Sequence, residues 1–450
     1  MRGSDCDIPD ISFCKSSINW LIFNHLRANI FGMLKRNITD NLLAALADSP
    51  VVLLNGARQT GKSTLVKTLA VKEHPARYLT LDDTSVLSAI RHDPAGFLAG
   101  LDGPVVLDEI QRAPELFVAI KAEVDRNREP GRYLLTGSAN VLMLPKLSES
   151  LAGRMEILSL WPLSQGELAG TREGFVDAVF SDTLKLSGPS SNDRNATLDK
   201  IIQGGYPEAI SRKTESRRRA WFNSYITTIL QRDVRDLANI EGLTELPRLL
   251  SILATRAATL VNYSELSRST TFPQSTLKRY MSLLEMTFLI QHLPAWSGNM
   301  GKRLVKASKL VMSDTGMLAY LLGATSERIV KEGTIGPLLE NFIVMELRKQ
   351  GTWSDTVPQM FHFRTQTGQE VDIVLEDASG RIVGIEVKSS ATVGSGDFKG
   401  LKMLAEVTGD RFLRGIVLYT GREAIPYGQK LFALPVDCLW TLGADLNDRG

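Results

Sequence analysis

Apolar and polar positions recur along the chain with two different periods, and each change of period marks a change of element. The first 32 residues, opening MRGSDCDIPDISFCKSS, carry no sustained pattern. From Met33, the text MLKRNITDNLLAALADSP puts Leu42, Leu43 and Leu46 on one helical face, and Asp48-Ser49-Pro50 ends that helix. VVLLNG (Val51 to Gly56) is apolar throughout and stops at glycine, as a strand buried on both faces does. Similar runs occur at Tyr78 to Leu81, Val105 to Leu107, Tyr133 to Leu135 and Met155 to Leu160, with helical text between them. Strands alternating with helices predict an α/β fold, a parallel sheet flanked by helices over about 33–165.

Beyond that unit the period changes again. Leu184 to Lys200 is rich in Ser, Gly, Pro and Asn without a period and predicts a loop. From Leu198 to about Leu322 the pattern is helical, interrupted by Phe288 to Leu293 and Arg303 to Met312, which predict a β-hairpin. A helix over Leu338 to Arg348 then precedes strands at Met360 to Arg364, Glu370 to Glu376, Arg381 to Val387 and Gly415 to Tyr419. The division expected is an N-terminal extension (1–32), dispensable for folding; the α/β unit (33–165); a helical region (166–334); and a separate C-terminal α/β domain (335–450).

Composition narrows the class. At about 150 residues per domain, 450 residues accommodate several domains. With 43% hydrophobic and 23% charged residues the chain can bury proper cores, which excludes fibrous and mainly disordered classes. A net charge of +2 neither demands nor forbids nucleic acid, so any basic surface must be local. The three cysteines, Cys6, Cys14 and Cys438, form no metal-binding spacing, and a reducing cytoplasm is the expected setting. Ile18 to Leu26 is too short and too polar for a membrane span, so no membrane partner is expected.

One segment carries explicit chemistry. Gly56-Ala57-Arg58-Gln59-Thr60-Gly61-Lys62-Ser63 fits GxxxxGK(S/T) at every fixed position, after a predicted strand and before a helix that starts at Thr64. The glycines let backbone N–H groups turn inward around phosphates, and the helix N-terminus adds partial positive charge. Lys62 would reach the terminal phosphates of ATP, and the Ser63 hydroxyl would ligate Mg²⁺. Val105-Val106-Leu107-Asp108-Glu109 delivers two acids at a strand's C-terminal end, where open α/β sheets place their ligands. Asp108 would complete the Mg²⁺ shell and Glu109 would polarise the attacking water. With the strand Tyr78 to Leu81 between the two motifs, the spacing resembles the additional-strand class of P-loop ATPases, which implies that Thr136 or Ser138, ending the next strand, senses the terminal phosphate and that Arg154 is an arginine finger or sensor; a polar strand end and a plain surface arginine are the alternatives.

LNGARQTGKSTL, VVLDEIQRAPELF, YLLTGSAN, SLAGRMEIL and WPLS occur in this order and resemble a prokaryotic family of AAA-type ATPases with a C-terminal domain of unknown function. GGYPEAI, ILQRDVRDL, KLVMSDTGMLAYLLG and LLENFIVMEL agree with it further along. The resemblance covers about Met33 to Tyr419. It implies ATP and Mg²⁺ as cofactors, the additional-strand class of P-loop sheet, and is compatible with a homo-oligomer.

The helical region resembles a winged helix over about 245–315. Tyr263 to Arg268 and Gln274 to Met286 would form a helix-turn-helix around Thr271-Phe272-Pro273, with Lys278 and Arg279 exposed for DNA. The hairpin would be the wing, offering Lys302, Arg303, Lys306 and Lys309 to phosphates. A purely structural winged helix is the alternative, and Arg217-Arg218-Arg219 reads as a solvated helix face.

In the C-terminal part, Asp372 lies in EVDIVLED and Glu386-Val387-Lys388 ends RIVGIEVK. Strand alternation puts Glu386 and Lys388 on one face, a hairpin can bring Asp372 to them, and Glu340 on the preceding helix can reach the same spot. The set resembles the D-x(n)-E-x-K core of restriction-endonuclease-like nucleases, although Val371 stands where that pattern usually has proline. It implies a Mg²⁺ or Mn²⁺ site on Glu340, Asp372 and Glu386, with Lys388 orienting water for phosphodiester cleavage. Two functions follow: an ATPase acting on DNA through these parts, or an ATP-dependent switch whose C-terminal domain binds without cleaving.

Overall fold

The computed structural model describes residues 34–138, 151–186, 188–190, 194–237, 243–299, 301, 303, 306–365 and 367–444. The N-terminal extension, Met33 and Lys302 lie outside them.

The strands β1 (Val51–Asn55), β2 (Arg77–Thr80), β3 (Val105–Asp108), β4 (Tyr133–Gly137) and β5 (Met155–Ser159) form one parallel sheet in the order β2-β3-β4-β1-β5. Alternation of side chains explains its two buried faces. Val51, Leu53, Val105, Leu107, Tyr133 and Leu135 point into one core. Val52, Leu54, Val106 and Leu134 point into another, which is closed by helices α1 (Thr39–Asp48) and α2 (Lys62–Val71). β4 separates β1 from β3, so the strand bearing the glycine loop and the strand bearing the acids are not neighbours.

The central region begins its ordered helices earlier than expected. Arg194–Gln203 is helical, with Thr197, Leu198, Ile201 and Ile202 buried, so the loop expected over 184–200 ends before that helix. Helix α3 (Glu215–Thr228) runs on into a wider π turn, Ile229–Asp233. Helices α4 (Tyr263–Thr270) and α5 (Gln274–Met286) follow, joined by a turn in which Thr271 takes φ 64°. A two-stranded antiparallel ribbon, β6 (Ile290–Leu293) and β7 (Lys309–Met312), succeeds them, and then helix α6 (Thr315–Leu321).

The C-terminal part opens with α7 (Ile335–Gln350) and builds a six-stranded mixed sheet. β8 (Gln359–Arg364), β9 (Glu370–Glu376) and β10 (Ile382–Lys388) are an antiparallel meander. Helix α8 (Lys399–Thr408) then crosses over, so that β11 (Phe412–Tyr419) lies parallel to β10. β12 (Ile425–Pro426) and β13 (Leu431–Pro435) complete the edge. One face carries Val371, Val374 and Val417 against Leu401 and Leu404 of α8. The other carries Ile373, Leu375, Val383 and Ile416 into a core shared with α7 and with the central helices. Apolar packing runs across residue 334: Phe175, Ile202, Leu318 and Phe342 belong to one continuous core with the C-terminal sheet.

Candidate nucleotide site and carboxylate cluster

The glycine loop lies between the end of β1 and the start of α2, which gives its shape a local cause. Gly56 has φ 147°, and a Cβ there would lie 2.2 Å from the Leu160 carbonyl oxygen, so no other residue fits. Gly61 caps α2 with φ 98°, and Gln59 is left-handed at φ 62°. Lys62 is buried, and its Nζ donates to the Gly56 and Ala57 carbonyl oxygens at 2.8 Å each. Burial pushes its pKa down to about 8, against the pull of Glu109 and Asp108. The Thr60 carbonyl accepts from Arg36 Nη1 at 2.7 Å, and Thr60 Oγ1 donates to the Ala57 carbonyl at 3.0 Å. Thr64, in the first turn of α2, lines the same cavity.

The acids meet this loop from β3. Ser63 Oγ donates to Asp108 Oδ1 at 3.1 Å, Tyr78 OH donates to Asp108 Oδ2 at 2.5 Å, and Thr136 Oγ1 also donates to Asp108. Glu109 sits at φ 62°, and its backbone N–H donates to Thr136 Oγ1 at 3.1 Å. Its carboxylate accepts from Gln111 Nε2 and, at 3.2 Å, from Ser138 Oγ. Thr136 and Ser138, expected to sense a terminal phosphate, are placed where they hold the two acids. Tyr78 and Gln111 were not anticipated; Gln111 lies two residues after Glu109, a spacing that a strand-to-turn transition brings onto one side.

Arg154 stands apart from these groups. β5 is parallel to β1, with Met155 opposite Val51, so Arg154 stands at the sheet edge where β1 begins, whereas the loop stands where β1 ends. Its Nε donates to Asp125 Oδ1 at 2.5 Å. Arg154 is thus removed from the groups around this chain's own nucleotide cavity.

That cavity, about 640 Å³, has a second wall from the central region. Trp221 and Tyr225 of α3, stacked at 5.0 Å and 14°, and Arg232 of the π turn face Arg58, Lys62 and Glu109 across it. Asp233 in the same turn accepts from Arg58 Nε at 2.6 Å, and Tyr225 OH donates to the Arg58 carbonyl at 3.3 Å. Arg232 and Asp233 lie in the wider turn itself, within the ILQRDVRDL text, whereas Trp221 and Tyr225 come from the helix before it.

The residues fit a magnesium nucleotide. The inward-facing glycine cradle, a buried ammonium hydrogen-bonded to carbonyl oxygens, and a hydroxyl–carboxylate pair 3.1 Å apart are the donors and acceptors that such a group requires.

The C-terminal acids come together, but around a lysine. Asp372 Oδ2 accepts from the Val387 N–H at 3.0 Å, which ties the start of β9 to the end of β10. Lys388 Nζ lies 2.9 Å from Glu386 Oε1, as alternation predicted. Lys309 Nζ lies 2.6 Å from Glu340 Oε1 and 3.1 Å from Asp372 Oδ1. Among the described residues no group of three or more acidic, histidine or cysteine side chains is arranged to hold a metal ion. The expected metal cage on Glu340, Asp372 and Glu386 is therefore not preformed; lysines stand among its acids. Burial raises the Glu340 pKa to about 8, with repulsion from Asp372 adding to it and Lys309 opposing. Burial raises Glu386 to about 7, again with Asp372 adding and Lys388 opposing. For Lys309, burial lowers the pKa, but Asp372 and Glu340 outweigh it and hold the ammonium above the usual lysine range.

Lys309 also departs from expectation. It was expected on an exposed wing; it is 5% exposed and belongs to the acid cluster. Arg303 pairs with Glu376 at 2.7 Å, so it too is turned inward, while Lys306 is exposed. Lys278 and Arg279 on α5 are exposed, as expected.

Three family models match the chain: an AAA domain over 48–169, a domain of unknown function (DUF8612) over 195–328, and a domain of unknown function (DUF4143) over 335–439. The chain is 31% identical over 413 residues to an uncharacterized protein of Mycobacterium tuberculosis, covering 91% of this chain and 85% of that one. An uncharacterized protein of Mycobacterium bovis matches to the same extent. Among solved structures, a Walker-type ATPase of Pyrococcus abyssi is similar at 14% identity and TM-score 0.41, over 64% of this chain and 96% of that one. A Holliday junction branch migration motor of Thermotoga maritima is similar at 17% identity and TM-score 0.27, over 57% and 89%. Neither structural likeness is close enough to speak to this chain's ligands. Among the described residues no helix is long and apolar enough to cross a membrane.

Proposed function

Since the chain belongs to the same family as these mycobacterial proteins and carries the AAA domain, we propose that it is an ATP-hydrolysing P-loop ATPase. The observation that carries this proposal is the Ser63–Asp108 pair directly beneath the glycine loop, with Glu109 held beside it by Gln111 and Ser138. Gly56 to Thr64 hold the phosphates, and Lys62 turns from its own loop carbonyls to the terminal oxygens. Ser63 and Asp108 hold Mg²⁺, which neutralises phosphate charge when bound. Glu109 takes the proton of the attacking water. Trp221, Tyr225 and Arg232 close the cavity from the central region and carry its occupancy into α3.

DNA is the target this reading favours, through the exposed face of α5 with Lys278 and Arg279. The C-terminal acids form a nuclease-like site in a sheet whose antiparallel meander is followed by a parallel crossover. The inward turn of Arg303 and Lys309 favours the second reading, in which ATP switches a protein whose C-terminal domain binds without cleaving.

ATPase and nicking assays on one preparation, with and without DNA, separate the readings. Turnover stimulated by DNA is the expected result and favours the first; turnover indifferent to DNA, with no metal-dependent nicking, favours the second. Lys62→Ala is expected to abolish ATP turnover with the fold intact by circular dichroism. Turnover surviving in that variant would refute the assignment of the nucleotide site.

A further inference from the structure

The carboxylate cluster has a feature that neither function uses. Its central cation comes from outside the C-terminal sheet: Lys309 is the first residue of β7, in the ribbon of the central region. That ribbon is fastened to the sheet edge. Ala295 bridges His362, the Trp296 N–H donates to the His362 carbonyl at 2.6 Å, and Arg303 pairs with Glu376. The fastening carries the Lys309 stem between Glu340 on α7 and Asp372 on β9.

Lys309 bridges one oxygen from each carboxylate at 2.6 and 3.1 Å. A divalent ion held by the same two acids would need the same space, because it too must lie within about 2.0–2.6 Å of both oxygens. The ammonium and the metal therefore exclude each other. Lys388 does not fill this role; it lies on Glu386. Glu386 Oε2 is buried and accepts no hydrogen bond from the described residues, so acceptor capacity is left over beside the lysine.

We propose that Lys309 is a tethered cation that closes the Glu340–Asp372–Glu386 site to divalent metal, and that the site opens only when the β6–β7 ribbon withdraws it. This rests on the acid cluster being a metal site at all. It makes metal access a property of the central region rather than of the C-terminal sheet. A site vacant for only a fraction of the time binds its ligand more weakly by that fraction.

The test is Mn²⁺ binding to the full chain without nucleotide, followed by the loss of the free-ion electron paramagnetic resonance signal. A Ser63→Ala, Asp108→Asn background removes both ligands of the nucleotide site. Adding Lys309→Met, which keeps the stem and deletes the charge, is expected to tighten Mn²⁺ binding by about tenfold or more. Adding Asp372→Asn to that variant is expected to cancel the gain. Equal and measurable binding with Lys309 present overturns the tethered cation and leaves the acid site standing. No binding in the Lys309→Met chain overturns both, as does a gain that survives Asp372→Asn. Should Lys309→Met fail to fold, the unsubstituted chain decides. Acylation of Lys309, read by mass spectrometry, is expected to quicken about tenfold as Mn²⁺ rises to millimolar levels at constant ionic strength. An unchanged rate overturns the proposal.

Discussion

Lys62 shows how much one buried charge can determine. Its ammonium is enclosed by the loop that it serves, and burial holds its pKa at about 8 in this arrangement. Phosphate oxygens favour the charged form. Below pH 8 the lysine is already charged, and nucleotide binding needs no proton from solution. Above pH 8 binding must take up that proton, so affinity is expected to fall by up to about tenfold per pH unit. Titration with a fluorescent ATP analogue between pH 7 and 9.5 measures this; a flat profile would mean that Lys62 stays charged throughout. Glu109 makes a complementary case. The acid–base role proposed for it predicts that Glu109→Gln binds ATP normally and hydrolyses it roughly 10²–10⁴ times more slowly. Among the described residues, the Gln111 side chain hydrogen-bonds to Glu109 and Ser138 alone. Gln111→Ala is therefore expected to lower kcat by roughly ten- to a hundredfold while KM holds, because the acid is then misplaced and not absent. A rise in KM alone would give Gln111 a binding role instead.

Elements decide which of these residues meet, and here the sequence was legible to different depths. The nucleotide loop was plain because its groups are contiguous and because strand, glycine loop and helix follow one another without interruption. Its partners Asp108 and Glu109 were plain for the same reason, as the end of an apolar strand. Trp221, Tyr225 and Arg232 were not assigned, since a helix so far along the chain has no periodic signal that says which cavity it will wall. Lys309 was misplaced for a related reason. Alternation puts it on one side of a ribbon, but only packing against the C-terminal sheet decides that this side is buried. Helix α8 was missed although Leu401, Leu404 and Thr408 recur at helical spacing, because the stretch is short and begins with GDFKG. The junction between β1 and β5 offers a test at this scale. Gly56→Ala places a methyl group 2.2 Å from the Leu160 carbonyl at a φ of 147°. The expected cost is about 1–3 kcal/mol of strain with loss of ATP binding, read as a lowered Tm and no nucleotide-induced stabilisation. A variant that binds ATP normally would show that the loop can shift away from β5.

At the scale of the molecule, α7 is the member that ties the parts together. Leu338, Leu339, Phe342, Ile343 and Leu347 enter the core that the central helices share with the C-terminal sheet. Polar groups of the same helix reach the other way. Glu346 Oε2 accepts from the Gln165 N–H at 2.9 Å, and Lys349 Nζ donates to the Leu163 carbonyl at 3.0 Å, just past the end of β5. Close by, Glu167 accepts from Arg36 Nε at 2.9 Å, and Arg36 also donates to the Thr60 carbonyl in the nucleotide loop. Five large side chains at about 2 kcal/mol each make the burial of α7 worth roughly 10 kcal/mol, comparable with the whole stability of a domain. A chain ended at residue 334 is therefore expected to lose the central helices, although the family boundary at 335 suggests a clean cut. The parallel sheet has its own two cores and is expected to survive. Hydrogen exchange on the shortened chain distinguishes the parts: amides of β1, β3 and β4 should stay protected while those of α3, α4 and α5 exchange freely. Protection retained in α3 to α5 would mean that the central region folds without α7. The shared core would then be a docking surface between two independent domains, and withdrawal of Lys309 would need no unfolding at all.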